Sequence, residues 1–202
     1  HAMPELAFQE TATAELIAER MNALGLPMQT SIGKTGVVAV LEGARPGPTL
    51  MIRADIDGLP VDEETGLEFA STNGAMHACG HDGHTSILIM AAEILVSMKD
   101  QLTGKVVFLF QPAEETISGA EAMINDGVLD QYKPDRTIGL HIMNVLPVGT
   151  IATNRGSLMS GGIRFAITIE GPGGHAGWPQ KTIDPVVIGS QIVMALQTVV
   201  SR

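Results

Sequence analysis

The apolar and polar positions along this chain fall into short segments with two different periods. Residues 9–24 (QETATAELIAERMNAL) place Ala14, Ile17, Ala18, Met21 and Leu24 at helical spacing, and Gly25 follows as a stop, so a helix is predicted there. The run 36–41 reads as a buried strand, Arg45-Pro-Gly-Pro as a turn, and 49–54 as a second strand. After an acidic, turn-rich loop over 60–76, Ile87, Leu88, Ala91, Ile94, Leu95 and Met98 predict an amphipathic helix over 85–98. Residues 105–111 predict a third strand, the stretch near 118–126 a helix, and 137–141 and 148–153 two short strands. Strands alternating with helices point to an α/β fold with a mixed, largely parallel sheet over 1–160. After Ser160-Gly-Gly the pattern changes. Ile163, Phe165, Ile167 and Ile169 alternate as a half-buried strand over 163–170, a glycine-rich turn follows, and a long helix is predicted over 184–200. These elements read as the opening of a second, α+β domain over 161–202, with a sheet edge left open.

Composition narrows the function classes. With 45% hydrophobic and 17% charged residues the chain is globular, and with 3% aromatics its core must be aliphatic. A net charge of −10 argues against nucleic acid or an anionic membrane surface as partner. The single cysteine excludes an intrachain disulfide and fits a reducing, cytoplasmic setting. No apolar run is long enough to span a membrane and no secretory signal opens the sequence. A start at His1 rather than Met suggests a processed or trimmed N-terminus.

The candidate chemistry centres on residues 75–84, AMHACGHDGH, which hold the only cysteine and three of the six histidines. If this segment is extended, His77, Cys79 and His81 share one face, and Cys-x-His is a compact chelating pair. The plainer alternative is a buried free cysteine in a His-rich loop. The helix that follows aims its N-terminal end at the cluster, where negative charge is favoured. Asp55 and Asp57 stand just past a strand's C-terminal end, where open α/β sheets place their sites; the alternative is an Asp-Gly turn with solvated carboxylates. Glu114 and Glu115 follow the next strand, so that one can bind metal while the other acts as a base; the alternative is a solvated pair opening a helix. His141 ends a further strand. Each plain reading holds singly, but four strand-end positions offering ligands or acids argue together for a metal site. Two glycine-rich stretches do not count: Ser31-Ile-Gly-Lys-Thr-Gly has Met28 where a phosphate loop needs glycine, and Gly171-Pro-Gly-Gly fails the dinucleotide spacing.

RADIDGLP (53–60), HACGHDGHT (77–85), FQPAEE (110–115), GLHIM (139–143) and GPGGHAGWP (171–179), with PELAFQET (4–11) and TGVVAVL (35–41), carry a family resemblance. Together they make the chain resemble the aminoacylase/carboxypeptidase G type of binuclear metallohydrolases. Its amidohydrolase branch is the nearer match, and includes hippurate hydrolases, N-acyl-amino-acid deacylases and plant auxin-conjugate hydrolases. The resemblance implies a zinc-peptidase-like catalytic domain with a lid or dimerisation domain beginning at 161. It implies two divalent ions (Mn2+, Zn2+, Co2+ or Ni2+) held by Cys79, His81, Glu115 and His141. Glu114 matches the general base. Asp57 keeps the place of a carboxylate that orients a ligand. Asp55 stands where the peptidase branches have a histidine ligand, and Cys79 would supply metal binding instead. His175 matches a lid histidine that reaches the partner subunit's site in a homodimer and polarises the scissile carbonyl. The implied activity is hydrolysis of small N-acyl amino acids, hippurate-like substrates among them. Members of the family are longer, so the chain is expected to hold roughly their N-terminal half and to lack a further histidine ligand. The competing expectations are a fragment that binds metal or dimerises without turnover, and a dipeptidase or carboxypeptidase; Cys79 argues against the latter.

Overall fold

Apolar residues alternating along three central strands give this protein a sheet with two buried faces. The computed structural model describes residues 1–199, and among them the strands β1 (Met28–Ile32), β2 (Gly36–Glu42), β3 (Arg45–Asp55), β4 (Thr103–Gln111) and β5 (Arg136–Gly139) form one sheet in the order β1-β2-β4-β3-β5. β2 runs antiparallel to β1 and β4, whereas β3 runs parallel to β4 and β5. The sheet is therefore mixed. The helices are α1 (Thr11–Ala23), α2 (His81–Ser97), α3 (Gly119–Asn125), α4 (Val128–Tyr132) and α5 (Pro185–Leu196).

Side chains two apart on a strand share a face. Val37, Ala39, Leu41, Ala54, Phe108 and Phe110 accordingly pack with Ile17 and Met21 of α1 and Leu88 and Ala92 of α2. Val38, Met51, Val107 and Leu109 face the other way, onto Met123, Val128 and Tyr132 of α3 and α4. Each large apolar side chain so buried contributes roughly 1.5–3 kcal/mol. Helices cover both faces of the central strands while the edge strands β1 and β5 stay largely exposed, and the register decides what gathers at one end of the sheet. Asp55 lies beside Gln111, and Arg53 beside both Leu109 and Gly139, so β3, β4 and β5 deliver their C-terminal ends to one place.

Several elements differ from their sequence expectation. β1 (MQTSI) is absent from the predicted set because its residues are mostly exposed; it is an edge strand ordered by pairing with β2. Arg45-Pro-Gly-Pro is the start of β3, not a turn, and the irregular register between Arg45 and Thr49 accommodates prolines that cannot donate to a ladder. α2 begins at His81 rather than Thr85, and α4 was not expected. The strand expected over 148–153 does not form: Val148 and Ile151 are exposed and no ladder partner lies alongside among the described residues.

The chain divides into two compact units, His1–Met159 and a second that starts at Ser160. In the second, 163–170 is not a ladder strand either. Phe165, Ile167 and Ile169 instead line a shallow apolar groove with Gly189, Ile192, Val193 and Leu196 of α5. The Asp184 carboxylate caps α5 by accepting from the Val186 N–H at 2.9 Å. The end of the helix expected over 184–200 falls partly outside the described residues. No helix among those residues is long and apolar enough to cross a membrane.

Candidate metal centre

Every site residue expected before 160 stands at the C-terminal end of β3, β4 or β5, or at the start of α2. Gly80, at φ +85°, turns the chain from the Cys79 loop into α2, a conformation that glycine adopts without strain. After β4, Ala113 sits at φ +50°. Its N–H is held at 2.8 Å by the fully buried Glu10 carboxylate, which also accepts from the Thr35 hydroxyl. Glu10 thus shapes the turn that presents Glu114 and Glu115. Backbone approach tightens the same turn, since a Cβ on Gly119 would lie 1.6 Å from the Pro112 carbonyl oxygen.

The centre is built around His81, which is buried. Its Nδ1 lies 2.9 Å from the Asp57 carbonyl oxygen and 3.1 Å from Asp57 Oδ1, while Asp57 Oδ2 accepts from the Glu115 N–H at 3.0 Å. One buried carboxylate therefore orients two of the expected ligands. His81 Nε2 faces Asp55 Oδ2 at 3.6 Å, Glu114 Oε2 at 3.8 Å and Glu115 Oε1 at 3.8 Å. None of these is a hydrogen bond. His81 Nε2 and Glu115 Oε1 are both buried without a hydrogen-bond partner among the described residues. Cys79, His81 and Glu115 bring one sulfur, one nitrogen and one oxygen within 4.8 Å of one another, and Cys79 Sγ is 3.3 Å from His141 Nε2. Glu114 keeps 41% of its side chain exposed at the same edge.

A second trio, Asp55, His81 and His84, has similar spacing. Apart from His81 Nε2, which the two trios share, its atoms are already engaged. Asp55 Oδ1 is 2.6 Å from His84 Nδ1, Asp55 Oδ2 accepts from Arg53 Nη1 at 2.7 Å, and His84 Nε2 accepts from the Ile142 N–H at 2.9 Å. Unpartnered buried polar atoms are costly; the Cys79–His81–Glu115 set leaves two of them, His81 Nε2 and Glu115 Oε1, facing one point, whereas the Asp55–His81–His84 set has just the shared His81 Nε2. Thiol, imidazole and carboxylate are also the donor types divalent transition metals take, so the residues fit such an ion.

Protonation of the site carries the same signature. Burial, with the Glu115 and Glu114 carboxylates close by, pushes the Cys79 thiol up to about 11. Burial also raises the Glu115 carboxyl, against the lowering effect of His81, with Glu114 and Asp57 adding to the rise. For His81, burial opposes the charged form, but the Asp57 hydrogen bond and the Asp55, Asp57 and Glu115 carboxylates outweigh it and raise its value. The Cys79 thiol thus holds a proton that a cation would displace, and the Glu115 shift runs in the same direction.

Two sequence expectations change here. His77 does not share a face with Cys79 and His81, because the loop turns: the Gly80 N–H bonds the His77 carbonyl at 3.2 Å, and His77 is buried outside both trios. Asp55 and Asp57 are not solvated, each being 1% exposed. Sequence reasoning gave no part to His84, Glu10 or Arg53. The His81/His84 spacing, three apart on a first helical turn, was the available signal for the first of these. His175 lies in the second unit, exposed, with its Nδ1 accepting from the Gly177 N–H at 2.9 Å and its ring 5.7 Å from that of Trp178.

Residues 51–201 match the profile of peptidase family M20/M25/M40. The whole chain is 46% identical over 204 residues to the N-acyl-L-amino acid amidohydrolase of Geobacillus stearothermophilus, covering 55% of that relative. It superposes with a TM-score of 0.81 on a crystal structure from methicillin resistant Staphylococcus aureus, at 42% identity, over 98% of this chain and 53% of that one. The YXEP protein of Bacillus subtilis, described as a dinuclear metal binding peptidase, aligns at a TM-score of 0.70 and 43% identity over 74% of this chain and 42% of that one. The chain spans about half the length of the curated relatives it matches. A profile match that runs from within β3 through both units, joined to a sheet end where a thiol, an imidazole and a carboxylate converge, makes this chain a member of the peptidase family M20/M25/M40.

Proposed function

We propose that the chain carries the metal-binding part of an amidohydrolase that splits N-acyl amino acids into a carboxylic acid and a free amino acid. The observation that carries this reading is the pair of unpartnered buried atoms, His81 Nε2 and Glu115 Oε1, beside the Cys79 thiol and the accessible Glu114. In this reading Cys79, His81, Glu115 and His141 hold two divalent ions, with zinc, manganese, cobalt and nickel all suited to the mixed donor set. Such ions, when bound, polarise an amide carbonyl and make water more acidic. Glu114 is the base: its exposed carboxylate takes a proton from the attacking water and passes it to the departing amine nitrogen. Asp57 keeps His81 and Glu115 aimed. His175, reaching the site of a second protomer in a homodimer formed through the second unit, donates to the developing oxyanion. The name of the Geobacillus relative supports the N-acyl amino acid class, and hippurate-like N-benzoyl substrates belong to it. A cytoplasmic setting fits the single, half-buried free cysteine.

The test pairs metal content, by elemental analysis of protein purified without chelator, with hydrolysis of N-acetyl and N-benzoyl amino acids. Glu114→Ala is expected to lower kcat by about 10²–10⁴ while bound metal stays unchanged. Near-normal turnover in that variant removes Glu114 as the base. A wild-type protein that takes up no divalent metal removes the reading altogether.

A further inference from the structure

We propose that His84, although it stands among metal-ligand residues, binds no metal and is instead the positioning residue that sets where His141 stands. The inference deepens the reading above and rests on it for the role of His141 as a ligand.

His84 lies in the first turn of α2 and is fully buried, so water does not compete for its ring. A peptide N–H can only donate, so His84 Nε2, which meets the Ile142 N–H at 2.9 Å, must present its lone pair there. The ring proton is then on Nδ1, directed at Asp55 Oδ1 at 2.6 Å. Both nitrogens are spent, and no lone pair remains for a cation. Asp55 is fixed in turn: Arg53 Nη1 donates to its other oxygen, and Arg53 Nε donates to Gln111 Oε1 at 2.9 Å. One bonded series therefore runs from the end of β4, across the end of β3, through the first turn of α2, to the segment that follows β5.

That segment needs such an anchor. The ladder of β5 with β3 stops at the Arg53–Gly139 pair, and His141 lies two residues past it. Beyond the ladder, α2 takes over. Gly83 leaves room for the Ile142 side chain, since a Cβ there would lie 2.4 Å from Ile142 Cδ1. His84 holds the Ile142 backbone, and the His141 ring stands edge-on to the His84 ring at 4.7 Å. With its neighbour fixed in this way, His141 brings Nε2 to 3.3 Å from Cys79 Sγ. A free imidazole two residues past an unanchored strand end would not hold that distance.

Three measurements on the chain test this, with Co2+ alone as the probe. In metal-free wild-type protein, nitrogen chemical shifts of the His84 ring should report the Nδ1–H tautomer, and the Ile142 amide should be protected from hydrogen exchange. His84→Leu should lose that protection at least about tenfold, weaken Co2+ binding about 10–100-fold, and diminish the thiolate-to-cobalt absorption. His84→Gln, whose carbonyl oxygen can accept from the Ile142 N–H, should recover most of both, which a loss of general packing would not allow. A His84 ring whose Nε2 resonance shifts as a direct Co2+ ligand overturns the proposal. So does a folded His84→Leu that keeps wild-type Co2+ affinity and a protected Ile142 amide. If wild-type protein binds no Co2+, the metal reading fails, and the tautomer and exchange data alone still decide whether His84 holds Ile142.

Discussion

Asp55 shows how much one carboxylate's surroundings can carry. Burial pushes its carboxyl up, but the His84 hydrogen bond, the Arg53 guanidinium and the neighbouring imidazoles outweigh that and bring it from 3.8 to about 2. A depressed folded value means that the unfolded chain binds more protons through this range, so stability rises with pH across it. The contribution, about 2 kcal/mol, is fully present above the unfolded value near 3.8 and is lost as pH falls toward 2. Urea midpoints measured from pH 5 downward should fall through that window, and Asp55→Asn should flatten this part of the profile. Equal slopes in both proteins would mean that the ionised carboxylate is not what holds Arg53 and His84 together. At this scale the sequence was legible where a residue type is unusual for its place: the lone cysteine, paired acids at strand ends, a histidine closing an apolar run. It was not legible for Glu10 or His84. An acid at the start of an amphipathic helix and one more histidine in a His-rich stretch have ordinary readings, and only three-dimensional neighbours assign them.

Elements were legible to the extent that their order is intrinsic. α1 and α2 announce themselves by helical spacing, and β2 and β4 by runs of Val, Ala, Leu and Phe that need two covered faces. The misses are elements whose order is borrowed. β1 has few buried side chains and exists because β2 offers a ladder, whereas 148–153 and 163–170 have strand-like residues and no neighbour to bond among the described residues. A pattern reports which face wants cover, not whether a partner is present. The turn between β4 and α3 is a case in which close backbone contact rather than pattern sets the structure. Gly119 lies so near Pro112 that a Cβ would sit 1.6 Å from its carbonyl oxygen and 2.6 Å from its carbonyl carbon. Backbone atoms cannot swing aside as a side-chain terminus does, so Gly119→Ala must shift the 112–118 turn itself. The expected loss is about 1–3 kcal/mol in chemical denaturation, with weakened metal uptake because Glu114 and Glu115 ride on that turn. A variant that melts and binds metal as wild type does would show that the turn is looser than its contacts imply.

For the molecule as a whole, the register of β3, β4 and β5 gathers acids at one sheet end in a protein that already carries a net charge of −10. Gathering them is unfavourable without a counter-charge. The Cys79 thiol is pushed up to about 11, so it keeps its proton, and Glu115 is raised, both in the direction that lessens the repulsion. A divalent ion binding the folded chain alone adds RT ln(1 + [M]/Kd), about 2.7 kcal/mol at a hundred times Kd. For a chain of this size that corresponds to a rise in Tm of roughly 5–11 °C. The rise should belong to the unfolding of His1–Met159, where Cys79, His81, Glu115 and His141 all lie, and a chelator should reverse it. Because metal must displace the Cys79 proton, the shift should shrink as pH is lowered at fixed metal concentration, and Cys79→Ser should weaken that dependence. Calorimetry with and without Zn2+, at two pH values, reads both effects. A transition that ignores Zn2+ would mean that the acids are balanced by protons alone, and that the sheet end, for all its donors, does not take a metal.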